Sequence, residues 1–210
     1  MEPFRQHQGV AAPMLRPNID TDAIIPSREM KRVSKSGLGI GLFADERYRA
    51  GGERELNPDF VLNLPAYSGT SVLLAGSNFG CGSSREHAVW ALKEYGVRAV
   101  IAASFGTIFA NNCVRNGLLP LVLAEEQVQA LADWVALDPQ GNQPLIDLEA
   151  CTVSGAGEQF AFAIEDGPRR MLLEGLDAIA LTLTRREAID DFHAQRQRQR
   201  PWLYRPPSGA

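Results

Sequence analysis

The sequence is short of the features that would mark a secreted, membrane-spanning or nucleic-acid-binding protein. Three of its 210 residues are cysteine, an odd number that does not suit a disulfide framework. Cys81, Cys113 and Cys151 also lie far apart, whereas zinc and iron–sulfur sites draw on close pairs such as C-x-x-C. The three histidines, His7, His87 and His193, show no metal-ligand spacing, and His87 reads as a packed side chain. There is no surplus of basic charge: 21 Lys and Arg stand against 25 Asp and Glu, a net charge of −4 that leaves no footprint for nucleic acid. Long apolar runs are missing too. The longest, Val72–Ala75 and Ala99–Ala103, are far too short to span a bilayer. The opening MEPFRQHQGVAAPM has no apolar stretch that could act as a signal peptide, so a soluble cytoplasmic protein is expected.

What is present is ordinary globular composition, 45% hydrophobic and 22% charged. A chain of 22.9 kDa folds to a surface of roughly 9,600 Å² and buries about 70% of what the unfolded chain exposes. No disulfide or metal staple is needed, and one large domain is expected. Residues 1–17 read as a short strand or arm, 18–26 as a turn with an apolar pair, and 27–41 and 45–58 as exposed loops. The most regular stretch is 71–137. Buried strands at 71–75, 98–103 and 118–123 alternate with helices at 85–95, 104–116 and 125–137. Such alternation predicts parallel pairing through right-handed crossovers, with Pro120 marking an edge or a bulge. Short strands follow within 145–164 and helices within 168–193. The end, QRQRQRPWLYRPPSGA, reads as a polar, proline-rich tail, so the domain is drawn as 1–193 and the tail as 194–210.

Chemistry concentrates in Gly80-Cys81-Gly82-Ser83-Ser84-Arg85-Glu86-His87-Ala88, between a buried strand and a helix. Gly76, Gly80 and Gly82 allow the backbone to approach a ligand closely. Helix starts present free N–H groups and partial positive charge, and Arg85 adds a guanidinium fork where positive charge does not help the helix. That combination points to an anionic ligand, a carboxylate or a phosphate. The same residues also fit a capping box, with Ser83 as N-cap and Glu86 reaching back. No lysine follows the glycines as a P-loop requires, and their order is not that of a dinucleotide fingerprint. Gly37–Gly41, GLGIG, is only a partial match to one. No G-x-S-x-G elbow supports a serine hydrolase.

Three ordered blocks make the reading specific. NIDTDAIIP (18–26), GCGSSREHA (80–88) and SFGTIFANNCVRNGLLPLVL (104–123) together resemble the small-subunit family of 3-isopropylmalate dehydratases, the separate-chain form of the swivelling domain in the aconitase superfamily. GLFADERY (41–48), NPDFVLN (57–63) and GLDAIALTL (175–183) extend the resemblance from about Phe4 to His193. It implies an α/β fold, a swivelling β/β/α three-layer domain. It also implies a large partner subunit, in a heterodimer or higher hetero-oligomer, that carries a [4Fe–4S] cluster with one open iron. The implied reaction is dehydration and rehydration of a hydroxy-diacid through an alkene, interconverting 2- and 3-isopropylmalate in leucine biosynthesis, with this chain inactive alone.

By the same resemblance, Ser83 is the catalytic base, its alkoxide favoured by the helix N-terminus and Arg85. Arg85 would bind a substrate carboxylate and Ser84 would orient the substrate. Thr21 and Asp22 match the family's TD motif near the site, although an Asp here also suits a turn. Ser27–Arg32 falls where the family has its substrate-selecting loop, making Arg28, Lys31 and Arg32 candidates for the distal carboxylate. The family's long bacterial form usually has an aromatic–aliphatic pair after IIP, whereas this chain has Arg28-Glu29-Met30. The alternative is therefore a paralogue acting on another small hydroxy-diacid, citramalate- or dimethylmalate-like. A lone anion-binding module, or a nucleotide-dependent enzyme using Gly37–Gly41, would leave the three blocks unexplained. The residues after His193 depart from the family pattern.

Overall fold

The two longest apolar runs lie at the centre of a four-stranded parallel sheet in the computed structural model, which describes residues 1–30, 36–51 and 53–204. β3 (Val72–Ala75) and β4 (Ala99–Ala102) are buried along their whole length, as strands covered on both faces must be. β2 (Ala11–Met14) and β5 (Leu119–Val122) flank them in the order β2-β3-β4-β5. Pro13 and Pro120 therefore both fall in edge strands, where a missing N–H costs least. Helices α3 (Glu86–Tyr95) and α4 (Thr107–Asn116) make the crossovers from β3 to β4 and from β4 to β5. Their shared handedness puts them on one face of the sheet.

A second, antiparallel sheet has the order β1-β6-β7-β8, formed by Gln6–Gln8, Leu145–Asp147, Thr152–Gly155 and Glu158–Ala161. Ile146, Val153 and Phe160 stand opposite one another across its strands and form its buried row. α5 (Glu125–Leu137) buries Val128, Leu131, Ala132 and Val135, a stripe with helical period. It lies across β2, β3 and β4, while Leu131 and Trp134 close on Gly155 of β7, so it ties the two sheets together. The result is a three-layer β/β/α domain with one continuous core.

The opening residues hold more structure than a single strand or arm. They supply β1 to one sheet and β2 to the other, crossing between them at Gly9 and Val10. Glycine suits the crossing, because a Cβ at Gly9 would lie 2.0 Å from Ser71 Oγ and force that hydroxyl to turn away. The expected loops are also partly helical. α1 (Thr21–Ile24) and α2 (Ala44–Arg47) are single helical turns, and Ser27–Met30 and Gly39–Gly41 are 3₁₀ turns. At the other end come α6 (Asp166–Glu174), α7 (Ala178–Leu183) and α8 (Arg186–Gln199). α8 runs straight through the boundary drawn at 193/194, and a 3₁₀ turn at Pro201–Tyr204 follows it. Among the described residues no helix is long and apolar enough to cross a membrane.

The parallel sheet positions the candidate site by continuing past its own strand ends. Beyond β3, the loop pairs with its neighbours on both sides through bridges at Asp20–Cys81 and Phe79–Phe105. Gly80 N–H donates to Ile19 O at 2.7 Å, and Thr21 N–H to Cys81 O at 3.0 Å. On the other flank, Phe79 N–H donates to Ser104 O at 3.0 Å and Gly106 N–H to Phe79 O at 2.9 Å. Gly80 has φ +72°, and a Cβ there would lie 2.2 Å from the Phe109 ring. Gly69 has a similar φ, +77°, with open space around it. Gly69→Ala is therefore expected to cost about 1–2 kcal/mol from backbone strain alone. Gly80→Ala adds a clash in a packed core and should cost about 2–5 kcal/mol. Urea unfolding of the two variants side by side checks the difference.

Candidate active site

Ser83 and Ser84 are exposed in the short stretch between the clamped loop and α3. Neither hydroxyl makes a hydrogen bond among the described residues, so both are free to meet a ligand. The capping box does not form. α3 begins at Glu86, and its cap position is taken by Arg85, which makes no side-chain cap bond. Glu86 instead accepts from Asn116 Nδ2 of α4 at 2.8 Å. The reason lies upstream. Gly82 turns through φ +85°, and Thr21 Oγ1 donates to Ser83 O at 2.9 Å, which anchors Ser83 to the first turn of α1 rather than to α3.

Arg85 stands at the helix start with its guanidinium ion-paired to Asp22. The arginine side chain is 18% exposed and the aspartate 53%. That pair offsets the poor placement of a cation at a helix N-terminus. The hydrogen bond from Arg85 holds the Asp22 carboxyl below the usual carboxylate range, and Ser27 Oγ donates to the same Asp22 oxygen at 3.3 Å. Asp20 caps α1, accepting from Ala23 N–H at 2.7 Å. Thr21 is 1% exposed, and its hydroxyl is directed to the loop rather than to solvent. Four of the expected residues, Thr21, Asp22, Ser83 and Arg85, thus join into one bonded unit, with Ser84 beside them.

Arg28 lies one step away. Ser27, its neighbour, touches Asp22, while Arg28 itself pairs with Asp45 and Glu29. It lines a cleft of about 420 Å³ with Tyr48, Arg49 and Arg54. Arg54 Nη2 reaches the other Glu29 oxygen at 2.6 Å. Lys31 and Arg32 lie outside the described residues. After that segment, Gly37, Leu38 and Gly39 donate their N–H groups to the Glu94 carboxylate at 2.6, 2.5 and 2.8 Å. Those three bonds pull Glu94 below its ordinary range and moor GLGIG to the end of α3, a structural use of the glycines. His87 packs on the Trp90 ring, with centroids 4.8 Å apart. Cys81 is half-buried in the loop. Cys113 is fully buried in α4, where burial pushes its thiol well up, and Cys151 lies at the antiparallel sheet. Among the described residues no group of three or more His, Cys, Asp or Glu could hold a metal ion.

Sequence reasoning missed two contributors. Gly106 must lack a side chain, because a Cβ would lie 2.5 Å from Gly80 O. Its only signal was its place just before the α4 start. Asp22 as the partner of Arg85 had no local signal, because 63 residues separate the two.

Comparison with known proteins agrees with this fold. The family model for the aconitase C-terminal domain matches residues 1–126. The family model for the C-terminal domain of the 3-isopropylmalate dehydratase small subunit matches residues 179–205. The residues after His193 thus belong to a family pattern, contrary to the reading of the sequence alone. A 3-isopropylmalate dehydratase small subunit from Cupriavidus necator is 62% identical, covering 97% of this chain and 99% of its own. Others from Methylibium petroleiphilum and Teredinibacter turnerae are 53% and 48% identical, each over 97% of this chain and, respectively, 97% and 98% of their own. A solved 3-isopropylmalate dehydratase from Methanocaldococcus jannaschii superposes with a TM-score of 0.62 at 27% identity, covering 90% of this chain and 99% of that one.

Two outcomes test the bonded unit. In Arg85→Gln, Asp22 loses the partner that depresses it, so its titration midpoint should rise toward 3.8. Because its folded-state pKa is the lower one, the pair stabilises the fold above the ordinary carboxylate range and is lost as pH falls through that depressed value. A carboxyl NMR titration of both proteins reads the shift. Thr21→Val leaves the Ser83 carbonyl without its donor and should cost about 1–2 kcal/mol, measured by urea unfolding.

Proposed function

The chain belongs to the family of 3-isopropylmalate dehydratase small subunits within the aconitase superfamily, and on that premise we propose how its residues serve the reaction. In this reading it is the small subunit of a hydro-lyase that interconverts 2- and 3-isopropylmalate by dehydration and rehydration in leucine biosynthesis. It works in the cytoplasm with a large subunit and has no activity alone. The relatives that span nearly the whole chain carry the isopropylmalate name, and no observation favours a citramalate- or dimethylmalate-like substrate. The [4Fe–4S] cluster of the family is assigned to the large subunit. The three cysteines here are dispersed over the loop, α4 and the antiparallel sheet, and do not suit a cluster.

One observation carries the reading. Two serine hydroxyls with no partner among the described residues immediately precede, in the chain, an arginine whose guanidinium already grips a carboxylate, at the start of a ten-residue helix. The substrate is a dicarboxylate, so one of its carboxylates takes the place beside Arg85 that Asp22 now shares. Ser83 removes the proton from the carbon next to that carboxylate. A serine hydroxyl is a weak base, and its alkoxide is favoured by the partial positive charge of the α3 N-terminus and by Arg85. The alkoxide takes the carbon-bound proton and becomes a hydroxyl, while the electron pair left on that carbon forms the double bond as the hydroxyl on the neighbouring carbon departs. The large subunit's cluster would supply the Lewis acid for that departure, and rehydration returns the proton from Ser83. Ser84 orients the substrate through its free hydroxyl. Thr21 acts through the loop, holding the Ser83 carbonyl, and Asp22 keeps Arg85 aimed. Among Arg28, Lys31 and Arg32, proposed for the distal carboxylate, Arg28 must first exchange Asp45 and Glu29 for substrate.

Two variants of the enzyme assembled anaerobically test these roles, with alkene absorbance as the readout. Ser83→Ala should lower kcat by about 10²–10⁴-fold while the complex still elutes intact. Normal turnover would overturn the base assignment. Arg85→Lys keeps the charge and loses the fork, so kcat/KM should fall about 10–100-fold, with KM raised and kcat lowered. Unchanged kinetics would mean that Arg85 does not touch substrate.

A further inference from the structure

We propose that the C-terminal arm, residues 178–204, docks on the large subunit and does the work of the covalent linkage that a single-chain relative has. The proposal rests on the two-subunit reading above. No residue of α7, α8 or the following turn is fully buried; Leu181 alone among their hydrophobic side chains packs partly against the core. α8 has fourteen residues, and its cap position, Arg185, makes no side-chain cap bond. A helix of that length is marginal in water unless one of its faces is covered. The arm nevertheless carries large apolar side chains in the open: Ile179, Leu183, Phe192, Trp202, Leu203 and Tyr204. Phe192 is 54% exposed and Trp202 65%. Aromatic side chains of this size on a polar arm are the usual anchors of a protein interface.

Two observations choose the occupant. The body, residues 1–126, matches a domain named for the C-terminal end of a longer chain, the aconitase C-terminal domain. The arm lies outside that match and is matched by a model named for the separate small subunit. A domain joined to its partner by a linker has an effective concentration near it on the order of millimolar. A domain on its own chain must replace that with contact area, and the arm is the segment matched by the model named for the small subunit. Charge sets the chemistry of the surface that the arm fits. The chain carries −4 overall, but after Asp191 the arm has Arg196, Arg198 and Arg200 and no acid. Phe192 lies between these arginines and the acidic first half of α8, with the Arg196 guanidinium 5.8 Å from its ring. An apolar groove rimmed by carboxylates on the large subunit is the matching surface.

The test uses the full-length chain and its purified cognate large subunit, reconstituted anaerobically and immobilised. Phe192→Ser/Trp202→Ser should raise Kd at least about tenfold. The melting temperature of the free small subunit should change little, because both side chains are more than half exposed in it. Turnover should recover when the variant is added to saturation. Arg196→Glu/Arg198→Glu should also weaken binding and flatten its salt dependence. Unchanged affinity in both variants overturns the proposal. So does a change confined to self-association of the free small subunit, which would make a second copy the occupant. Ser83→Ala should bind with wild-type affinity, so failure of the catalytic assignment leaves the arm's result intact. No binding by the wild-type chain would overturn the two-subunit reading, and the arm proposal with it.

Discussion

The close approach of two backbones at Gly80 and Gly106 is the constraint on which the site depends. With no side chain on either residue, the loop after β3 lies against the loop after β4, and the Phe109 ring closes over Gly80. On its other flank the loop is bonded to Ile19 and Thr21. The loop is therefore an extension of the parallel sheet, held on both edges by backbone hydrogen bonds. A residue carried on such a scaffold loses little entropy when a ligand arrives, which is what the role proposed for Ser83 requires.

Electrostatics then decide which way the site faces. An arginine at a helix start works against the helix dipole, and the fold accommodates it by supplying Asp22 from α1. The same pairing acts on the aspartate: Asp22 stays charged to lower pH than an isolated aspartate. Thr21 and Asp22 are neighbours with different tasks: one buried hydroxyl grips the Ser83 backbone and one half-exposed carboxylate grips the Arg85 side chain.

Much of this was legible in the residues, for physical reasons. The apolar runs at 72–75 and 99–102 could only be buried strands, and the stripe at Val128, Leu131, Ala132 and Val135 could only be a helix face. Other features could not be read. Gln6–Gln8 and Ala11–Met14 are too short for periodicity to register, and each becomes a strand only because a distant partner exists. Ser83-Ser84-Arg85-Glu86 satisfies the local rule for a capping box, and the rule fails because Thr21 holds Ser83 elsewhere. GLGIG has the look of a ligand loop and serves instead to receive Glu94. The polar run after His193 reads as tail by composition, yet α8 continues through it to Gln199.

The sequence by itself determined the alternation of strand and helix, the presence of a glycine-rich turn at a helix start, and the residue types gathered there. These follow from local periodicity, from turn chemistry and from motif order, all of which act over short stretches of chain. Tertiary structure alone decided that Asp22 meets Arg85 across 63 residues, that Ser83 is free of the helix it precedes, and that two glycines 26 positions apart must touch. Those outcomes depend on which strand ends lie side by side, and that is settled by burying the whole sheet at once rather than by any segment of it.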